Sequence, residues 1–409
     1  MTKPEFDIVL FGATSFVGQI TARYMHGAYA DEGLSWAVAG RSEGKLARVI
    51  AENGLDGIPR ILADSHDEAS LRAMCERARV VVSTVGPYAL YGETLVKVCA
   101  DTGTHYCDLT GEPHWIREMV GRYAETARAN GARIVHCCGF DSIPSDLGVH
   151  LLQNHAIAHH GGPCERVDMR VMKAKGGASG GTVASLIAMV KEASGNAELR
   201  RELKNPYSLC PPDHPYTVRQ PNVGVEYDER IGGWVGPFIM AAINTRIVHR
   251  SNALSGNRYG TSFRYEEATA TGRGGKGKRR ARLTRLSLKA LMMGLAIAPV
   301  RWAMNKLFLP SPGEGPSPEA QRKGHFDLLF LGTAPDGTTL RARVTGDKDP
   351  GYGSTAEMLG QAAACLARDV GDDAATGFCT PATLLGDALI DRLQARAGLT
   401  FAVENHSST

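Results

Sequence analysis

An apolar, β-branched run that stops at a glycine and passes directly into a helix restricts a fold severely. This chain opens with one, DIVLFGATSFVGQITARYM, from Asp7. Such a unit brings a strand's carboxyl end and a helix N-terminus to one point, where unpaired N–H groups and the helix dipole favour an anion. Gly12 and Gly18 stand where the backbone must turn tightly and where helix and strand come close. Ser15 departs from the commoner GATGFVG form. A left-handed conformation there would cost roughly 1–2 kcal/mol. An extended one would leave its hydroxyl to donate to a phosphate or to cap the helix.

The strand–helix alternation continues over the first 145 residues. Strands are predicted over 7–11, 36–39, 61–62, 80–84, 106–109 and 134–137, with helices over 17–25, 42–52, 94–102 and 115–130. That regularity predicts an α/β fold, a doubly wound parallel (Rossmann) sheet covered on both faces. In such a sheet the tip of the second strand meets the adenosine ribose, where a carboxylate would repel a 2′-phosphate. Here AVAGRSEGKL puts Arg41 at the tip, Ser42 beside it and Lys45 one helical turn on. A guanidinium grips a phosphate through two parallel hydrogen bonds, so NADPH is the expected cofactor.

The fourth strand ends in VVVSTVGPYALYG, whose small and turn-forming residues let the chain pass close to a ligand at the sheet's carboxyl edge. Asp64, after the third strand, either contacts the adenine amino group or caps the next helix. The expected cofactor set is Gly12, Thr14, Ser15, Phe16, Val17, Gly18, Arg41, Ser42, Lys45, Asp64, Thr84, Val85, Gly86 and Pro87.

Composition removes several alternatives. A net charge of +3 gives no reason to expect nucleic acid. Nine scattered cysteines without a CxxC pair suit the reduced thiols of a cytoplasmic protein. The clusters His105/Cys107/Asp108 and His136/Cys137/Cys138 lack paired-ligand spacing, and strand alternation points their members to opposite faces, so no metal is expected. The longest uncharged apolar stretch, 290–300, is far short of the roughly 20 residues that span a bilayer. The expected location is the cytoplasm, at most peripheral at the inner face of the plasma membrane.

Beyond residue 148 the alternation breaks down, and 149–350 reads as an inserted α+β substrate domain between a first domain, 1–148, and C-terminal helices, 351–409, that return to it. ERVDMRVMKAKG and GNRYGTSFRYEEAT read as strands, the second with Tyr259, Phe263 and Tyr265 as core or lining residues. HPYTVRQPNVGVEYDERIGGWVGPFIM reads as loops around a pocket. Eight lysines and arginines between Arg273 and Lys289 meet no acid, and an apolar helical run follows to Trp302 and Phe308. Three readings of 273–309 stand side by side: contact with an anionic membrane surface, docking of an acidic carrier protein, and a mobile lid with a solvated basic loop. RNA binding would require interleaved aromatic platforms. After the Pro/Gly linker at 310–324, HFDLLFLGTA and TTLRARVTG form a strand pair through an Asp336-Gly337 turn.

FGATSFVG, AGRSEGKL, VGPYALYGETLV, YCDLTGE and GFDSIPSDLG together resemble the saccharopine dehydrogenase-like oxidoreductases. GHFDLLFLG, GYGSTAEMLGQAAACLA and GFCTPATLLGDALIDRLQARAGLTF extend the similarity almost to the C-terminus, and the pattern is similar to the trans-acting enoyl reductase branch known from mycobacteria. The resemblance implies an NADPH-binding Rossmann domain interrupted by a second domain. It also implies an NADPH-dependent reductase of a carbon–carbon double bond on a carrier-bound polyketide or long-chain acyl intermediate. The partner would be a polyketide synthase lacking its own enoyl reductase, and the products phthiocerol-type lipids. The alternatives are a saccharopine-type amino-acid dehydrogenase and a catalytically silent NADPH-binding scaffold at a membrane surface.

Enoyl reduction requires a hydride at the β-carbon and a proton at the α-carbon. Candidates along the sheet's carboxyl edge are Tyr88, Tyr91, Asp108, Glu112, Asp141, Ser142 and Asp146. Tyr88 is the preferred donor because a phenol keeps its proton at neutral pH, with Asp141 and Ser142 completing the catalytic set. The plainer reading is that Tyr88 packs and the other two shape a loop.

Overall fold

The computed structural model describes residues 4–177, 180–297, 299–302 and 315–404. The first stretch runs β1 (Phe6–Phe11), α1 (Phe16–Ala30), β2 (Trp36–Gly40), α2 (Glu43–Glu52), β3 (Arg60–Leu62), α3 (Glu68–Cys75) and β4 (Ala78–Ser83). It continues through α4 (Tyr88–Tyr91), α5 (Glu93–Thr102), β5 (His105–Asp108), α6 (Pro113–Ala129), β6 (Arg133–Val135) and α7 (Ile143–His159). Next come β7 (Arg166–Lys175), α8 (Gly180–Gly195), α9 (Ala197–Glu202), β8 (Glu226–Asp228), β9 (Gly233–Pro237), α10 (Ala241–Leu254), β10 (Arg264–Gly272) and α11 (Gly274–Ala296). The last part holds α12 (Pro318–Arg322), β11 (His325–Thr333), β12 (Thr339–Gly346), α13 (Gly353–Arg368), β13 (Gly377–Cys379), a π-helical turn (Pro381–Leu385), α14 (Gly386–Arg396) and β14 (Leu399–Glu404). Phe308 and the start of the Pro/Gly linker lie outside the described residues.

The first sheet has the order β13-β6-β5-β4-β1-β2-β3, and all its pairings are parallel. Its central strands β1, β2 and β4 are largely apolar because both faces are covered. Ile8 and Leu10 of β1 join one cluster with Leu46 of α2 and Met358 of α13, while Val9 and Phe11 join the other with Leu71 of α3 and Trp115 of α6. This is the alternation a strand imposes on successive side chains. The chain order reverses between β1 and β4, which opens a crevice at the carboxyl edge.

The second sheet has the order β14-β12-β11-β7-β10-β9-β8, with β7 and β10 the one parallel pair. α7 leaves the first sheet and packs on β11 and β12, where the Phe330 ring occupies the space a Cβ on Gly148 would need. Buried Arg170 ties β7 to β8 and β10 through Asp228 and Glu266, both at 2.7 Å. The segment after residue 350 serves both sheets: α13 and β13 pack on the first, whereas β14 pairs with β12 in the second.

Several local expectations change. The stretch 214–240 is not loop throughout, because it supplies β8 and β9. The strand expected from about residue 256 begins at Arg264, so Tyr259 and Phe263 precede it and are buried with Tyr265 in the core. Among the described residues, no helix is long and apolar enough to cross a membrane.

Candidate active site

The turn after β1 is built around two close approaches. Gly12 has φ +89°, and a Cβ there would lie 2.7 Å from Val85 Cγ2 and 2.8 Å from Thr84 Oγ1. A Cβ on Gly18 would fall 2.2 Å from the Gly12 carbonyl oxygen. Both positions therefore require glycine, the first for its left-handed backbone and the second for contact between helix and turn. Ser15 is extended, at φ −72° and ψ 162°, and caps α1 by accepting from the Gly18 N–H at 2.9 Å. Its own hydroxyl donates to Thr84 Oγ1 at 3.1 Å, and Thr84 donates to the Gly12 carbonyl at 2.9 Å. Of the two roles left to Ser15, the structure has taken the cap. The N–H groups of Phe16 and Val17, which open α1, have no partner among the described residues. Thr14 and Val17 are half-buried beside them. The Phe16 ring packs edge-on against Tyr352, with centroids 5.3 Å apart.

Arg41 follows β2 directly, is exposed, and makes no ion pair among the described residues. Ser42 caps α2 by accepting from the Lys45 N–H at 3.4 Å, and Lys45 is exposed in the first helical turn. Asp64 accepts from the His66 N–H at 3.0 Å, so its carboxylate closes a tight turn, while the cap of α3 is Asp67. At the end of β4, Val85 and Pro87 are half-buried and Gly86 is exposed, forming the lip of the crevice. Leu90 and Tyr91 of α4 are exposed beside that lip.

The glycine turn, the free N-terminus of α1 and the unpaired Arg41 fit a dinucleotide carrying a 2′-phosphate. The saccharopine dehydrogenase NADP binding domain family matches residues 8–135. A relative from Mycobacterium tuberculosis, named “Putative trans-acting enoyl reductase”, is 40% identical over an alignment of 422 positions, covering 98% of both chains. One from Mycobacterium bovis is 38% identical over 418 residues, covering 95% of this chain and 96% of its own. Among solved structures, saccharopine dehydrogenase (L-Glu forming) from Saccharomyces cerevisiae matches 98% of this chain and 100% of its own, with TM-score 0.52 and 12% identity, a likeness of fold.

The chain belongs to the saccharopine dehydrogenase-like oxidoreductase family, in its trans-acting enoyl reductase branch. It is an NADPH-dependent oxidoreductase.

Within this family member, the three residues expected to do chemistry differ in what engages their side chains. Tyr88 is buried, its hydroxyl donates to the Ser83 carbonyl at 2.9 Å, and the Leu109 N–H reaches it at 3.4 Å. Burial pushes the phenol well above the usual tyrosine range. The preferred donor thus directs its proton to the Ser83 carbonyl. Ser142 is also buried and donates to Asn244 Oδ1 at 3.0 Å. Asn244 in turn donates to Ser145 at 3.1 Å and to Glu267 at 2.9 Å, so Ser142 belongs to a polar node joining α7 to α10 and β10.

Asp141 differs from both. It is half-buried in the loop after β6, and its Oδ1 lies 3.4 Å from where a Cβ on Gly111 would stand. No other side chain bonds it among the described residues. Burial pushes its carboxyl up to about 7, opposed by its own backbone N–H and assisted by the charge of Asp108. A carboxyl of that kind can hold a proton at neutral pH and release it.

Supporting features surround the site, the first at Glu112, one of the carboxyl-edge candidates. Glu112 is buried and accepts from the N–H groups of Tyr88 and Ala89 at 3.0 and 2.9 Å, which fixes the start of α4. The first turn of α13 holds the loop after β6: Thr355 accepts from the Phe140 N–H at 3.0 Å and donates to the Pro350 carbonyl at 2.7 Å. The glycines of DPGYGST ahead of a helix were the sequence signal for this second brace. His136 and Asp108, one from each of the two clusters weighed as metal sites, form a buried pair at 2.7 Å.

Proposed function

We propose that this chain is a trans-acting enoyl reductase. It would reduce the double bond of an α,β-unsaturated thioester on a carrier domain of a polyketide synthase, within complex lipid biosynthesis of the phthiocerol type. The observation that carries this reading is the near-complete alignment at 38–40% identity with proteins bearing that name. Bound NADPH would supply the hydride that the β-carbon takes. Asp141, the one expected catalytic residue whose side chain is not committed to another, would hold the proton that the α-carbon takes as the alkene's electron pair moves there. Gly12, Gly18 and the α1 N-terminus would hold the pyrophosphate, and Arg41 with Ser42 and Lys45 the 2′-phosphate. Leu90 and Tyr91 offer an apolar lip suited to an acyl chain.

The test is NADPH oxidation with pantetheine-linked enoyl thioesters of increasing acyl length, using cofactor deuterated at C4 of the nicotinamide. One deuterium at the β-carbon and one solvent proton at the α-carbon are expected in the product. Tight NADPH binding with no turnover at any length, free or carrier-bound, would leave a silent scaffold. Turnover confined to amino-acid substrates would make it a saccharopine-type dehydrogenase.

A further inference from the structure

α11 carries two apolar stripes where a surface helix ordinarily carries one. The inner stripe includes Gly277, Ala281 and Leu295, all buried, and the helix packs on β9 and β10. Contact there is close: a Cβ on Gly277 would sit 2.1 Å from the Gly272 carbonyl oxygen. The outer stripe points to solvent. Leu283, Leu286, Met293 and Ile297 are 52, 63, 65 and 49% exposed. Positions 286, 290, 293 and 297 recur at the spacing of one helical face, and Ala290 between them is exposed as well.

Bases flank this stripe. Lys276, Arg279, Arg280, Arg282, Arg285 and Lys289 are all exposed, and none makes an ion pair among the described residues. Lys278 alone is engaged, 4.6 Å above the Trp234 ring. The sequence places no acid between Arg273 and Trp302. Beyond α11, Val300 and Trp302 continue the exposed apolar surface.

We propose that the outer face of α11 lies in the headgroup region of an anionic membrane. The charge pattern requires a negative partner, and the apolar stripe requires one that removes it from water. A bilayer surface meets both demands without a shaped groove: the apolar side chains enter the acyl boundary while the long basic side chains reach back to headgroups. The apolar residues here project from the outer side of a single helix between long charged side chains. A folded acidic protein would need a matching groove to cover them.

Full-length protein is mixed with vesicles of phosphatidylcholine alone, or of equal parts phosphatidylcholine and phosphatidylglycerol, and floated through a density gradient. Binding is expected on the anionic vesicles only, weakened by salt and independent of NADPH. Leu286→Glu with Met293→Glu should lower the bound fraction by at least about tenfold, because the buried apolar contact is lost. Among Arg279→Gln, Arg282→Gln and Lys289→Gln, each should lower vesicle affinity about fivefold. Unchanged NADPH binding shows that the variants are folded. Indifference to vesicle charge overturns the proposal, as does anionic binding that the Leu286/Met293 pair leaves intact. If vesicles are ignored and the same pair instead loses turnover only on carrier-bound substrate, the face belongs to an acidic protein and the membrane assignment is wrong.

Discussion

The Ser15 hydroxyl donates to Thr84 Oγ1 at 3.1 Å, linking the turn after β1 to the end of β4. Thr84 passes the link to the Gly12 carbonyl, so one chain of hydroxyls spans the point where the strand order reverses. The serine that departs from the usual glycine form is therefore a fastening of the turn. Ser15→Gly should bind NADPH within about threefold of wild type, because glycine in place of a serine cap costs only a few tenths of a kcal/mol. Thr84→Val keeps the shape and removes both bonds. It should destabilise the protein by about 1–3 kcal/mol, because the Gly12 carbonyl loses a donor and the Ser15 hydroxyl loses an acceptor. Calorimetric titration with NADPH and denaturant unfolding measure the two effects. A Ser15→Gly protein that no longer binds cofactor would show that the serine contacts it directly.

Gly18→Ala tests the steric side of the same turn. The added methyl would meet the Gly12 carbonyl at 2.2 Å, a backbone atom that can move only by reshaping the turn. NADPH binding should be lost, with a stability cost of more than about 2 kcal/mol. Near-normal affinity in a folded Gly18→Ala protein would mean that the pyrophosphate is held elsewhere.

Arg41 is the residue proposed to select the cofactor. It is exposed at the tip of β2 and makes no ion pair among the described residues. Arg41→Ala should weaken NADPH binding roughly tenfold to a hundredfold, the worth of charge-assisted hydrogen bonds, and leave NADH nearly unchanged. The ratio of kcat/KM for the two cofactors is the measurement. A preserved preference would move 2′-phosphate recognition to other residues.

Tyr88→Phe separates packing from chemistry. The phenol lies under the loop, bonded to the Ser83 carbonyl. Its removal should cost about 1–2 kcal/mol of stability and leave turnover within a few fold. A loss of turnover by a hundredfold at unchanged stability would restore Tyr88 as a donor.

The sequence carried β1 to β6 of the first sheet because most of these strands are apolar runs closed by a turn, and the longer helices between them have one apolar face. β1, β2 and β4 fall where the pattern put them. The three-residue strands β8 and β13 are too short to carry a period, and their pairing depends on neighbours distant in the chain. The cofactor turn was legible because its glycines answer a local backbone demand, as the φ of Gly12 shows. The catalytic set was less so. Whether Tyr88 faces the crevice or the core is decided by the path of the loop around it and by Glu112, more than twenty residues away. The brace from Thr355 to Phe140 joins segments 215 residues apart, a relation no spacing rule expresses.

Asp141 gives the last test, through both rate and stability. Burial holds its carboxyl up at about 7. As the proton donor, it would make kcat/KM fall as pH rises through about 7. Asp141→Asn should abolish that limb and lower kcat roughly a hundredfold or more. Its effect on stability follows from linkage. The folded protein binds this proton more tightly than the unfolded chain, whose aspartates titrate near ~4. The stabilising contribution is therefore full below that value and is lost as pH rises through about 7. Asparagine cannot ionise, so the variant escapes the loss. Its stability relative to wild type should rise between weakly acidic and weakly alkaline buffer, read from urea midpoints at the two ends. A stability difference that ignores pH would show that the carboxyl is already ionised in the folded protein. The proton for the α-carbon would then have to come from another group or from water.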